Sequence, residues 1–145
     1  MTDAVDIVIA EDHNLVRRAL RRLLEAVDEF HVVGEAPDGE EAVSLVKRYE
    51  PDVAILDLDM PKLSGIEAAQ QMQQLPTPPK VIMLTMYSER DLVFQAFDAG
   101  CDAYVIKRTV SDELVDAIRQ ALEGRYFLSQ DLQHLWSGVQ ERLGI

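Results

Sequence analysis

Four short apolar runs in this chain each stop on a polar residue of a different kind. Asp6-Ile7-Val8-Ile9-Ala10 stops on Glu11-Asp12, and Val53-Ala54-Ile55-Leu56 on Asp57. Val81-Ile82-Met83-Leu84 stops on Thr85, and Ala103-Tyr104-Val105-Ile106 on Lys107. Runs of this length, set apart by helix-length amphipathic stretches, predict buried parallel strands in a βαβ series. In such a sheet the carboxyl ends of the strands share one edge, and ligands bind there. Three acids, a hydroxyl and an ammonium are therefore expected at one place. That set suits a divalent cation and the acceptance of a phosphoryl group.

The full series reads as β1 over 5–10, α1 over 14–27, β2 over 31–36, α2 over 38–49 and β3 over 52–57. A loop through Pro61 and Gly65 leads into α3, which ends near 74. Then come β4 over 80–85, α4 over 89–99, β5 over 103–106 and α5 over 111–123. Five strands alternating with five helices predict an α/β flavodoxin-like doubly wound parallel sheet of order 2-1-3-4-5. Leu75-Pro76-Thr77-Pro78-Pro79 stops a helix and connects it onward. Gly100 and Gly124 stand where helices should end on a left-handed residue. Ser111, ahead of Asp112-Glu113, reads as the N-cap of α5. Val16, Leu20, Leu23 and Val27 form a core-facing stripe on α1, and Leu92, Val93, Ala96 and Phe97 one on α4. Phe94 falls off that stripe and reads either as an exposed anchor or as partly covered by neighbours.

Residues 1–124 form one expected domain, and 125–145 a C-terminal extension. In the extension, Leu132, Leu135, Trp136, Val139 and Leu143 lie on one face of an extra helix. Three arrangements suit it: packing back on the domain, pairing with a second copy, or starting a linker to a further module. No apolar run is long enough to span a bilayer and nothing resembles a signal peptide, so a cytoplasmic protein without a membrane partner is expected. The single cysteine, Cys101, excludes an internal disulfide. A formal net charge of -12 argues against nucleic-acid binding by this polypeptide.

At the strand ends, Asp57 is the candidate nucleophile, because a carboxylate can accept a phosphoryl group as a mixed anhydride. Three close carboxylates repel by about 1 kcal/mol per pair at 4 Å even in bulk water. A hard cation such as Mg²⁺ relieves this, with Asp12 and Asp57 as direct ligands and Glu11 acting through a water. Lys107 supplies a point positive charge. Thr85 offers a hydroxyl to a phosphoryl oxygen. Each residue alone has a plainer explanation: a turn or helix cap for the acids, a solvated strand end for Thr85 and Lys107. Arg17, Arg18, Arg21 and Arg22 read as a solvated face of α1 or a docking patch at the site edge. His13 reads as first-turn structure, since Mg²⁺ prefers oxygen.

Glu11-Asp12, Asp57-Leu58-Asp59-Met60-Pro61, Leu84-Thr85 and Tyr104-Val105-Ile106-Lys107 together resemble the motif set of bacterial response-regulator receiver domains. The resemblance runs from about residue 5 to 123. Glu11-Asp12-His13 and Tyr126-Phe127-Leu128-Ser129 look most like the NarL/FixJ class, which usually continues into a LuxR-type helix-turn-helix. The resemblance implies phosphorylation of Asp57 by a histidine kinase, a phosphotransfer protein or a small acyl phosphate. It implies Mg²⁺ held by Glu11, Asp12, Asp57 and the backbone carbonyl of Asp59, with Thr85 and Lys107 on the phosphoryl oxygens. Thr85 and Tyr104 are the implied switch residues, altering a face of α4, β5 and α5 that a partner or a second copy reads. Asp59 and Tyr87 stand where the family tunes hydrolysis, and bulky Tyr87 is expected to slow it. Such a chain is a switch rather than a turnover enzyme. DNA binding is expected of a full-length form and not of this polypeptide. Two other readings remain: a scaffold that keeps the fold but is never phosphorylated, against which intact Asp57, Thr85 and Lys107 argue, and an aspartyl-phosphate phosphohydrolase, for which no cap insertion is visible.

Overall fold

The computed structural model describes residues 4–145. Its centre is a parallel sheet of order β2-β1-β3-β4-β5-β6. The strands are β1 (Val5–Ala10), β2 (Phe30–Ala36), β3 (Val53–Asp57), β4 (Lys80–Thr85), β5 (Ala103–Ile106) and β6 (Phe127–Leu128). The helices are α1 (Asn14–Glu25), α2 (Gly39–Tyr49), α3 (Gly65–Met72), α4 (Arg90–Asp98), α5 (Val110–Leu122) and α6 (Trp136–Leu143). The flavodoxin-like core is as expected, but the sheet has six strands and not five. β6 extends it beyond β5 in parallel register, Ala103 facing Phe127 and Tyr104 facing Leu128. Two residues carry no alternation for a sequence reading to detect.

The inner strands are apolar throughout because helices cover both sheet faces. Ile7, Ile9, Val53, Ile55, Ile82, Leu84 and Val105 face α1 and α5, meeting Leu20, Leu24, Leu114 and Ile118. Their neighbours Val8, Ala54, Leu56, Val81, Met83 and Tyr104 face the other way, toward Val46, Met72, Val93 and Phe97. Each fully buried valine, leucine, isoleucine or methionine among them contributes roughly 1.5–3 kcal/mol relative to exposure. The α1 stripe is shifted from the expected one: Leu20 and the unexpected Leu24 are buried, Leu23 and Val27 pack partly against the same core, and Val16 is exposed.

Local chemistry sets the helix ends. Asp38 Oδ1 accepts the Glu41 N–H at 2.8 Å and caps α2. Ser64 and Glu67 form a reciprocal capping box at α3. Gly100 and Gly124 take positive φ, as the sequence predicted, and at Gly100 the Cys101 N–H reaches back to the Ala96 carbonyl at 3.1 Å. Gly65 allows a close approach, since a side chain there would collide with the Asp57 carbonyl. Ser111 is not the cap of α5. A 3-10 turn over Lys107–Thr109 runs directly into that helix, so Thr109 occupies the cap position and Ser111 falls within the first turn.

The segment after α5 packs back on the domain. Leu128, Leu132, Leu135 and Val139 are all buried in the same core as α4. α6 lies over Phe94, whose ring fits against Gly138 and carries the Arg142 guanidinium 5.0 Å above it. Arg142 also pairs with Asp98 on α4, its Nε 3.0 Å from Oδ1. Phe94 is therefore half-covered and not an open anchor.

Candidate functional site

The register of β1, β3, β4 and β5 brings their carboxyl ends together, with Ala10 beside Leu56, Asp57 beside Leu84, and Thr85 beside Ile106. The residues that follow or finish these strands surround a cavity of about 410 Å³, with Asp12, Asp57, Asp59, Thr85, Tyr87 and Lys107 in its wall. Lys107 Nζ bridges two carboxylates, 2.6 Å from Glu11 Oε1 and 3.0 Å from Asp57 Oδ2. Glu11 is fully buried, and its second oxygen accepts the His13 backbone N–H at 3.0 Å. Asp57 Oδ1 accepts the Asp59 N–H at 3.2 Å.

One buried oxygen is left over. Asp12 Oδ1 has no hydrogen-bond partner; His13 Nδ1 lies 3.3 Å away, outside hydrogen-bond geometry. Buried carboxylate oxygens without partners are costly. Carboxylate oxygens of Glu11, Asp12 and Asp57, with a His13 ring nitrogen, all lie within 4.8 Å of one another. An all-oxygen trio of this kind fits Mg²⁺. Both Glu11 oxygens are already engaged by protein donors, which suits a ligand acting through water. Asp59 does not join the cluster with its carboxylate, which accepts a hydrogen bond from the Tyr87 hydroxyl at 3.0 Å.

The electrostatics separate the two acids that share Lys107. Burial pushes the Asp57 carboxyl from 3.8 up to about 6, with the Glu11 charge adding to the rise and the Lys107 hydrogen bond opposing it. Burial would raise Glu11 too, but its bonds from Lys107 and the His13 N–H outweigh this and hold it at about 2. Glu11 is therefore the firmly ionised partner and Asp57 the more basic one. The hydrogen bonds of Lys107 to Glu11 and Asp57 raise it against its own burial.

Thr85 is buried, and its Oγ1 accepts the Tyr87 N–H at 3.0 Å. Tyr104 is fully buried, its hydroxyl donating to the Tyr87 carbonyl at 2.8 Å. Tyr87 therefore touches both ends of the site, the Asp59 carboxylate with its ring hydroxyl and Tyr104 with its backbone. The arginines of α1 divide. Arg17 donates to the Glu11 carbonyl at 2.6 Å and to Glu35 at 3.2 Å, and Arg21 also pairs with Glu35. Arg18 and Arg22 remain exposed. The brace that Arg17 places on the acidic turn was hidden in the sequence, because Glu35 lies on another element and carries no local spacing signal.

The sequence and the fold resemble those of known proteins. The family described as response regulator receiver domain matches residues 7–119. The chain is 34% identical over 130 residues to the transcriptional regulatory protein DegU of Brevibacillus brevis, covering 90% of this chain and 55% of that protein. It is 43% identical over 124 residues to the uncharacterized transcriptional regulatory protein YhcZ of Bacillus subtilis, covering 85% and 57%. The chain thus spans little more than half the length of these curated relatives. Among solved structures, a LuxR-family two-component response regulator from Aurantimonas sp. SI85-9A1 superposes with a TM-score of 0.86 at 35% identity, covering 91% of this chain and 94% of that one. The signal receiver domain of the putative response regulator NarL from Mycobacterium tuberculosis gives 0.82 at 33%, covering 86% and 100%. The scaffold and phosphohydrolase alternatives are not favoured by these relatives.

Proposed function

The chain belongs to the response regulator receiver domains of two-component systems, and on that premise we propose that Asp57 is its phosphoacceptor. The supporting observation is a buried Asp57 carboxylate tied through Lys107 to Glu11, beside an unpartnered buried oxygen of Asp12. An ionised Asp57 oxygen forms the new bond to phosphorus as the bond from phosphorus to the donor's leaving group breaks. The leaving group is the imidazole of a histidine kinase or phosphotransfer protein, or the carboxylate of a small acyl phosphate. It departs with the electron pair, and Asp57 has no proton to lose.

Mg²⁺ would be held by Asp12, Asp57 and the Asp59 carbonyl, with Glu11 through a water, and would offset the repulsion between two anionic reactants. Lys107 holds Asp57 before transfer and a phosphoryl oxygen after it. Thr85 keeps its hydroxyl hydrogen for another phosphoryl oxygen, since its oxygen accepts from Tyr87. The phosphoryl group adds about -1.5 to -2 charges at neutral pH. A switch follows only if its contacts differ between two states. The Tyr104 bond to the Tyr87 carbonyl is the contact that must break for the ring to turn outward, so Thr85, Tyr87 and Tyr104 form the two-state element. The readout is a change in the face of α4, β5 and α5, and in a longer form bearing a helix-turn-helix module the output is transcription.

The test is intact-protein mass after incubation with acetyl phosphate, with and without Mg²⁺, beside Asp57→Asn. One added phosphoryl group that requires both Mg²⁺ and Asp57 is expected. An adduct retained by Asp57→Asn would refute the assignment.

A further inference from the structure

Lys107 is held at both flanks by groups outside the cavity wall. On one side the Ile106 N–H donates to Ser129 Oγ at 2.8 Å. On the other, Thr109 Oγ1 donates to Glu113 Oε1 at 2.6 Å. The two anchors are joined, because the Ser129 hydroxyl donates to the same Glu113 oxygen at 2.6 Å. Glu113 Oε2 takes the Gln130 N–H at 2.9 Å, and the Ser129 N–H donates to the Tyr104 carbonyl at 3.0 Å. Ser129 is fully buried and has both its donor and its acceptor used. Arg108, next to Lys107, pairs with Asp131 of the same segment. The turn that carries Lys107 is thus framed by α5 on one side and by the C-terminal segment on the other.

Resting on the assignment of Asp57 as phosphoacceptor, we propose that Ser129 and Glu113 are positioning residues for phosphotransfer. They fix Lys107 through Ile106 and Thr109, and the docked segment 127–143 is thereby coupled to the state of the pocket. Lys107 is the only described cation that touches the Asp57 carboxylate. Its Nζ must sit within hydrogen-bond reach of that carboxylate and then of a phosphoryl oxygen. A turn released at Ile106 or Thr109 lets the lysine wander, and a misplacement of 1 Å can cost about a hundredfold in rate. The coupling is reciprocal: what docking does for the pocket, occupation of the pocket does for docking. Trp136, the single tryptophan, lies in the docked segment beside α5 and reports on it.

The experiment compares wild type, Ser129→Ala and Glu113→Gln in the whole 145-residue chain. Three quantities are read: the rate of phosphoryl uptake from acetyl phosphate at saturating Mg²⁺, the Mg²⁺ dissociation constant by calorimetry, and the Trp136 emission change on phosphorylation. The expected result is uptake slowed about tenfold in both variants, within the range a small misplacement produces. Mg²⁺ affinity should not fall, since the ligands themselves keep their places and a loosened Lys107 competes less for the Asp57 and Glu11 carboxylates, and the emission change seen in wild type should be lost. Folded variants with wild-type rates would overturn the proposal. So would rate and Mg²⁺ affinity falling together, which is general damage to the site. If Ser129→Ala does not fold by circular dichroism, Glu113→Gln decides, because Glu113 sits on a partly exposed helix face. A wild type that takes up no phosphoryl group would instead refute the Asp57 assignment on which the proposal stands.

Discussion

Replacing Asp57 with Asn should make the metal-free protein more stable. The folded carboxyl titrates at about 6 because burial opposes its charge, against 3.8 for the ordinary group. A folded-state value above the unfolded one means that the native protein holds a proton the unfolded chain has already lost. Stability is therefore unaffected by this group below about pH 4, falls as pH rises through the window between the two values, and stays reduced above it. At about 1.4 kcal/mol per unit, the full penalty is about 3 kcal/mol. Asn removes the charge while leaving Lys107 paired with Glu11 at 2.6 Å, so no ammonium is orphaned. Its amide N–H groups need new partners, and we expect about 1–3 kcal/mol of net gain at pH 8. For a chain of this size each kcal/mol raises Tm by about 2–4 °C. The assay is thermal unfolding by circular dichroism in a chelator at pH 4 and pH 8, repeated with Mg²⁺. The variant should melt higher at pH 8, match wild type at pH 4, and lose its advantage when Mg²⁺ stabilises only the wild type by mass action. A variant melting at or below wild type at pH 8, or by the same margin at both pH values, would refute the reasoning.

Three further outcomes are expected. Tyr87→Ala removes a ring whose hydroxyl bonds Asp59 at the cavity wall, so the phosphorylated protein should lose its phosphoryl group faster, read as mass decay after donor removal. Gly138→Val places a Cβ 2.6 Å from Phe94 Cζ; overpacking should cost about 1–3 kcal/mol and shift Trp136 emission, whereas an unchanged urea midpoint would contradict the α4–α6 contact. Asp38→Ala removes the cap bond to Glu41 and should cost about 1 kcal/mol in urea unfolding, with phosphorylation still dependent on Mg²⁺.

The strand ends were legible because strands buried on both faces leave almost unbroken apolar runs, and the first polar residue after each run stands out. Glu11, Asp12, Asp57, Thr85 and Lys107 met where the sheet order required. The C-terminal segment was less legible, for a reason that recurs at each missed residue: its partners are distant in sequence. Phe94 was left between an exposed anchor and partial cover, because the helix that covers it begins only at Trp136. Ser129 and Glu113 are ordinary surface residues by type, and only the fold sets a hydroxyl and a carboxylate around the turn of Lys107. Ser111 had the composition of a cap, but the 3-10 turn ahead of it moved the start of the helix.

β6 also decides how this molecule can meet another. An edge strand offers a row of unpaired amides and carbonyls that a second chain can extend. Here the outward groups of β5 and of the residue before it are already taken: the Phe127 N–H bonds the Asp102 carbonyl, the Ser129 N–H bonds the Tyr104 carbonyl, and the Ile106 N–H bonds the Ser129 hydroxyl. β6 itself is two residues long before the chain turns away into a 3-10 segment at Gln130. A template that short cannot hold a register, so the sheet stops growing on this side. Assembly at the β5 side must then rest on helix faces and side chains, where a change in charge at Asp57 can alter the fit, rather than on backbone ladders that would be indifferent to it.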